Sequence, residues 1–286
     1  MLTYLQGIVL GILQGITELF PISSLGHSVI IPQLLGWKLD QKSPFFLMFL
    51  VATHTATAVV LLLFFWKDWV RIVNGFFRSV RDRGVKETDS DARLAWLLII
   101  GTIPAGLVGL LFKHFIRVQL LSGYFAAIFL ALNGVLLFGA ELLRRRAPVT
   151  DTEDSDHRIS KMSWWQGFKV GLMQVLALMP GFSRTGSTIA GSLLVGLSHE
   201  DAVRFSFLLS TPIISAAAAL ELPRLIASGN FSAMGVSLAG GLGAALFSFL
   251  SVKFLTAYFK AEDRRLTPFA VYCVLFGVGS LIYYLH

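Results

Sequence analysis

Six apolar stretches begin at Pro44, Ala92, Gln119, Asp201, Ala233 and Leu266, and each runs with few or no internal charges. Each approaches the ~20 residues with which an α-helix crosses a bilayer. The runs are continuous and do not alternate with period two, so helices and not a barrel are expected. The chain is 55% hydrophobic and 14% charged, against about 45–50% and about 25% in an ordinary soluble domain. The expected fold is therefore an all-α polytopic membrane protein of about ten helices. The expected ranges are 4–20, 23–36, 44–66, 92–112, 119–143, 163–179, 184–196, 201–221, 233–255 and 266–285.

Two pairs among these are too short and too polar to be full spans. Segments 4–20 and 23–36 hold Gln14, Glu18 and His27, and segments 163–179 and 184–196 hold Lys169, Gln174 and Arg184. Polar, Pro/Gly-interrupted segments at membrane depth are read as re-entrant hairpins lining a cavity.

Basic residues give the orientation. Segments 67–93, 144–162 and 253–265 hold 7, 5 and 4 Lys/Arg, whereas the opposite loops hold only Lys38, Lys42, Lys113, Arg117 and Arg224. The positive-inside rule puts the rich loops in the cytoplasm and both termini outside. It also accounts for the net charge of +7 without a nucleic-acid partner, for which no basic motif with interleaved aromatics is present. The first basic residue is Lys38, so the N-terminus lacks the positive region of a secretory signal. The single cysteine, Cys273, excludes an internal disulfide and reads as core filler.

The chain repeats itself. Residues 11–28 read GILQGITELFPISSLGHS and residues 171–187 read GLMQVLALMPGFSRTGS. Three full spans follow each motif, and three is odd, so the second half is expected upside down relative to the first. Such folds place their site near the midplane, at the repeat interface. The expectation is a single membrane domain of two inverted repeats, 1–146 and 160–286, joined by a polar cytoplasmic linker, 147–159. The acidic run 151–156 lacks EF-hand spacing and reads as a solvated loop.

Glu18 lies in an apolar segment, where a carboxylate must be paired, protonated or wet, and such groups are functional by default. Gln14, at i−4, shares its face. Pro21 then breaks the helix, Ser23 or Ser24 can cap the next one, and His27 falls in its first turn. Glu, Ser and His make a plausible base, nucleophile and acid, although a capping serine beside a histidine is usually structural.

Pro180–Thr188 (PGFSRTGST) joins two apolar segments. Gly181 and Gly186 let backbone N–H groups approach an anion at a helix N-terminus. Ser183, Thr185, Ser187 and Thr188 add hydroxyls, and Arg184 offers a planar fork for phosphate. The competing reading, a kinked loop with Arg184 snorkelling to the surface, is weaker because the repeat mate of this loop carries the Glu/Ser/His set.

His54, flanked by Thr53 and Thr55 within a span, reads as a polar helix–helix contact. His114, His157, His199 and His286 sit at loops or ends. No dedicated metal cage is readable and no tightly bound cofactor is expected. A divalent cation (Mg or Ca) bridging a pyrophosphate and Glu18 stays open.

At these two motifs the sequence resembles the undecaprenyl-diphosphatase family, the BacA-type bacitracin-resistance phosphatases. Gln14 and Glu18 match its (E/Q)xxxE pattern, Pro21–His27 its PxSSxGH stretch, and Pro180–Thr188 its PGxSRSxxT motif, with Thr185 where serine is usual. The likeness covers essentially the whole chain. Gln14 stands where many members have a second glutamate, and Leu25 stands where threonine is common, which removes one pocket hydroxyl.

The resemblance implies removal of the terminal phosphate from undecaprenyl diphosphate at the outer face of the bacterial cytoplasmic membrane, recycling the lipid carrier of cell-wall synthesis and conferring bacitracin resistance. It implies Glu18, Ser24, His27 and Arg184 as catalytic. Gln14, Ser23, Gly181, Ser183, Thr185, Gly186, Ser187 and Thr188 are the expected substrate-binding set. The partners are then the polyprenyl diphosphate and membrane lipid, with a homodimer left open. In the working mechanism Ser24 attacks the terminal phosphorus, and Glu18 or His27 takes its proton. One rival is a polyprenyl-phosphate flippase using the same inverted-repeat site. Another is a non-catalytic scaffold, indifferent to Glu18 and Arg184. A third, the vanadate-type lipid phosphatase class, needs motifs that are absent.

Overall fold

A computed structural model describes residues 2–115, 120–144, 154–227, 234–261 and 264–286. The first hairpin is α1 (Tyr4–Thr17) and α2 (Ser24–Leu34). Thr3 starts α1 as a capping box, its hydroxyl accepting from the Gln6 N–H at 3.2 Å and its own N–H donating to Gln6 Oε1 at 2.9 Å. The second hairpin opens in the same way. Ser163 and Gln166 form a capping box at the start of α8 (Trp164–Val175), and α9 (Arg184–Leu194) returns the chain.

Both hairpins are seated by glycines. A side chain on Gly11 would meet the Gly240 carbonyl of α11 (Met234–Tyr258) at 2.0 Å, and one on Gly171 would meet the Gly101 carbonyl of α5 (Ser90–Phe115) at 2.6 Å. Backbones this close allow the tight van der Waals packing that holds helices together where water is absent. Thus α1 of one half lies on the second long span of the other, and α8 does the reverse.

Among the described residues six helices are long and apolar enough to cross a membrane: α3 (Pro44–Phe64), α5 over Ser90–Phe112, α6 (Gly123–Leu143), α10 (His199–Ala227) over His199–Glu221, α11, and α12 (Thr267–Leu285). Leucines such as Leu111, Leu142, Leu242 and Leu275 point outward, as expected of helices solvated by lipid. The expected starts at 119 and 233 lie outside the described residues, and the expected span at 201–221 is part of a longer helix.

Two features depart from expectation. Segment 67–93, read as a loop from its charges, contains α4 (Trp66–Arg81). Its Ile72 is buried, and Trp69 and Phe76 pack on the core, while Val70, Val73, Phe77 and Val80 remain exposed beside Lys67, Arg71, Arg78 and Arg81. Charges arranged on one face mark an interfacial helix and not a loop. The acidic linker also needs correction. Residues 151–153 lie outside the described set, but Ser155 and Asp156 are buried in a short helix, α7 (Ser155–Ser160).

Asp156 accepts from Arg71 Nη2 at 2.8 Å and from Arg204 Nε at 2.6 Å and Nη2 at 2.9 Å. A solvated-loop reading fails because two arginines from other helices supply the charge that lets this carboxylate be buried. Asp156→Ala removes the carboxylate the two arginines share and leaves them Asp68, 2.6 Å from Arg71 and 3.2 Å from Arg204, at a cost of about 2 kcal/mol. The expected result is a fall of several degrees in the melting temperature in detergent, with turnover at low temperature unchanged.

Candidate active site

The tips of the two hairpins meet. A side chain on Gly26 would lie 3.2 Å from Gly181 Cα. Gly181 adopts φ +112, and a side chain there would strike the Ala126 carbonyl at 2.3 Å. Asn133 of α6 ties the tips together, donating to the Pro21 carbonyl at 2.9 Å and accepting from the Ser183 N–H at 3.0 Å.

This junction fixes the reacting groups. α1 ends at Thr17 with Glu18 as its cap residue, earlier than the expected 20, because residues 18–23 turn back into the protein. Ser23 takes φ +70, unusual for a side-chain-bearing residue, and its hydroxyl accepts from the Gly26 N–H at 3.2 Å. Ser24 is therefore the first residue of α2. α8 ends in a short 3₁₀ turn, Leu176–Leu178, ahead of the Gly181 bend. Ser183 caps α9, accepting from the Gly186 N–H at 3.0 Å, so Arg184 opens that helix.

Glu18 is 6% exposed and fully engaged. Its Oε1 accepts from Arg184 Nη2 at 2.7 Å. Its Oε2 accepts from the Ser24 hydroxyl and from Gln14 Nε2 at 3.1 Å, and His54 Nε2 stands 3.3 Å away. The other arm of Arg184 donates to Ser210. A carboxylate, a hydroxyl and a guanidinium from the two hairpins thus share one site.

They line a cavity of about 320 Å³ with Ser23, His54, Gln174, Ser183 and Glu221. The first turns of α2 and α9 both border it, so two positive helix ends face the same space. Leu25, Leu50, Ala105, Leu178, Ile213, Ala217 and Glu221 also wall an adjoining apolar groove of about 420 Å³. A largely apolar cavity with its polar groups gathered around Glu18 and Arg184, beside an oily trough, suits a charged head on an apolar chain.

Among the expected substrate-binding residues, Ser23 and Ser183 reach the cavity wall and Gln14 lies behind Glu18. Thr185 instead donates to the Glu18 carbonyl at 2.8 Å, and Thr188 donates to the Arg184 carbonyl at 2.9 Å and pairs with Ser206 at 2.5 Å. Thr185, Ser187 and Thr188 are wholly buried. They and the two glycines support the loop from behind. They are not lining residues.

His27 is turned away from Glu18. Its Nδ1 lies 2.6 Å from the Ser23 carbonyl and its Nε2 2.8 Å from the Tyr272 hydroxyl, with its ring stacked on Tyr272 and Phe276. Its imidazole is taken by the Ser23 carbonyl on one side and by Tyr272 of α12 on the other, so it clamps the strained Ser23 backbone and is not among the residues that line the cavity. His54 does the opposite: its helix contact is with Glu18 itself. The intramembrane-ionisable rule that singled out Glu18 would have found it. Asn133, Ser206 and Ser210 were not anticipated and carry no local motif.

Residues 7–279 match the family described as "Bacitracin resistance protein BacA". The chain belongs to this family. It is 47% identical to the undecaprenyl-diphosphatase of Mycolicibacterium paratuberculosis, over 99% of this chain and 97% of that one. It is 42% identical to undecaprenyl-diphosphatase 2 of Chromobacterium violaceum, over 98% of each chain. It is 43% identical to the undecaprenyl-diphosphatase of Acidiphilium cryptum, again over 98% of each. Membership in the BacA family accords with a multi-pass, membrane-embedded chain and with paired motifs that meet in space.

Proposed function

We propose that this BacA-family chain hydrolyses undecaprenyl diphosphate to undecaprenyl phosphate and inorganic phosphate, acting at the outer face of the bacterial inner membrane, and thereby raises bacitracin tolerance. One observation carries the reading: Ser24 donates to one oxygen of Glu18 while Arg184 holds the other, at the wall of a cavity continuous with an apolar groove. The names of the relatives point the same way and give the flippase alternative no support.

Ser24 Oγ attacks the terminal phosphorus as its proton passes to Glu18 Oε2. The anhydride P–O bond breaks, and the lipid phosphate leaves with the electron pair. Water then cleaves the seryl phosphate, its proton taken by Glu18 once that group has released the first. Arg184 and the N-termini of α2 and α9 stabilise charge on the phosphoryl oxygens, which is the main task in phosphoryl transfer. Glu18 is the base in this scheme because His27 faces Tyr272.

Two inverted repeats, 1–146 and 160–286, form the scaffold. The matched capping boxes and the reciprocal packing of α1 on α11 and α8 on α5 support this. The outward orientation is supported by the basic loops and by the cavity lining. Leu50 near the start of α3 and Glu221 late in α10 both border the cavity, at the helix ends away from those loops.

We place the divalent cation on the diphosphate. Among the described residues no three His, Cys, Asp or Glu side chains gather, and donors already engage both Glu18 oxygens. Purified protein with C55 diphosphate is expected to release phosphate, and EDTA to slow the release until Mg or Ca is restored. Absence of release with either metal would remove the hydrolytic reading.

A further inference from the structure

We infer that His54 is a positioning residue of this reaction, its Nε2–H holding Glu18 Oε2 where it receives the Ser24 proton. The inference rests on the hydrolytic reading and adds a residue from a different helix, in neither motif.

His54 sits within α3. Its Nδ1 lies 2.8 Å from the Leu50 carbonyl, one turn back. A carbonyl can only accept, so Nδ1 carries a hydrogen and the ring orientation is fixed. The other nitrogen then faces Glu18 Oε2 at 3.3 Å. A bare nitrogen there would oppose two lone pairs, so a hydrogen lies between them, donated by Nε2 to the ionised carboxylate.

The remaining contacts show what this donor adds. Gln14 also reaches Oε2, but it belongs to the same helix as Glu18 and moves with it. Arg184 holds Oε1 from α9. Among the described residues, His54 is the donor that ties Oε2 to a long membrane span. Without it, the carboxylate can swing about its side-chain torsions and carry Oε2 away from Ser24. His54 also lines the cavity, with 27% of its side chain exposed, where a contact serving packing alone would be sealed. Glu18 and Arg184 are the charged groups nearest the ring, and Glu221 lines the same cavity.

A packing role and a positioning role predict different results. Loss of packing lowers the melting temperature and leaves kcat of the folded protein intact. Loss of positioning lowers kcat and leaves KM nearly unchanged. The test compares purified His54→Leu, His54→Asn and His54→Gln with wild type, measuring kcat and KM for C55 diphosphate and thermal melting in detergent. Leu carries no donor, the Asn amide falls short of Oε2, and Gln offers an N–H at similar reach without a ring.

H54L and H54N are expected to lose roughly 30-fold in kcat, within the ~10²-fold that a misplacement of about 1 Å costs, with KM within about threefold of wild type. H54Q is expected to recover to within about threefold of wild type in kcat. Wild-type kcat in H54L or H54N, a loss confined to KM, or an H54Q as poor as H54N would overturn the inference. A wild-type protein that releases no phosphate would instead overturn the hydrolytic reading. An active wild type with undisturbed His54 variants removes only the role given to His54.

Discussion

Replacing Arg184 with alanine lowers kcat/KM for C55 diphosphate by roughly 10³-fold or more, the scale on which a charge-stabilising arginine acts in phosphoryl transfer. Two interactions are lost at once. The guanidinium no longer meets the phosphoryl oxygens, and Glu18 Oε1 loses the donor 2.7 Å away. Arg184→Lys recovers little of the activity. A lysine is a point charge and cannot span Glu18 and Ser210 as the planar fork does. The substitution should leave the fold standing, because the α9 cap is made by Ser183 and the loop is held by Asn133, Thr185 and Thr188. Steady-state kinetics of both variants, with melting curves to confirm folding, check the expectation. Full activity in a folded Arg184→Ala protein would break the link between this side chain and the diphosphate.

The sequence made the large features legible because lipid imposes simple rules. Spans such as α3 and α12 announce themselves by length and lack of charge, and a carboxylate such as Glu18 in that setting invites a partner. The repeat added that the partner comes from the second hairpin, and Arg184 does approach Glu18. Local pattern failed where charge had two explanations. Lys67, Arg71 and Arg78 satisfy the positive-inside rule equally well from a loop or from the polar face of α4, and only packing of Ile72 under the helix separates the two. Asp156 looked solvated because its partners, Arg71 and Arg204, are remote in sequence. His27 looked catalytic because spacing places it near Ser24, but its ring nitrogens are taken by the Ser23 carbonyl and by Tyr272 of α12, a partner remote in sequence. Asn133 has no flanking motif at all. Its importance comes from two hairpin tips that only the folded chain brings together.

Ser24→Ala is expected to lower kcat by about 10⁴-fold or more with KM little changed, since knocking out the nucleophile of a serine-based constellation costs up to about 10⁶-fold. The prediction separates chemistry from architecture unusually well. The α2 cap is the neighbouring Ser23, whose hydroxyl accepts from the Gly26 N–H at 3.2 Å, so removing the Ser24 hydroxyl leaves the helix start intact. Arg184 still holds Glu18, and the cavity keeps its remaining lining, so substrate should bind as before. What disappears is the hydroxyl that, among the described residues, is the one hydrogen-bonded to the carboxylate. If water attacked directly with Glu18 as base, the loss would be far smaller, on the order of tenfold, because the base and the arginine are untouched. A second measurement bears on the same step. Substrate labelled on its terminal phosphate and quenched in acid should leave label on Ser24 of the wild type and none on Ser24→Ala. A labelled serine requires a step in which Ser24 Oγ replaces the lipid phosphate at phosphorus. A Ser24→Ala protein with near-wild-type turnover would pass the nucleophile's role to water and leave Glu18 as its base.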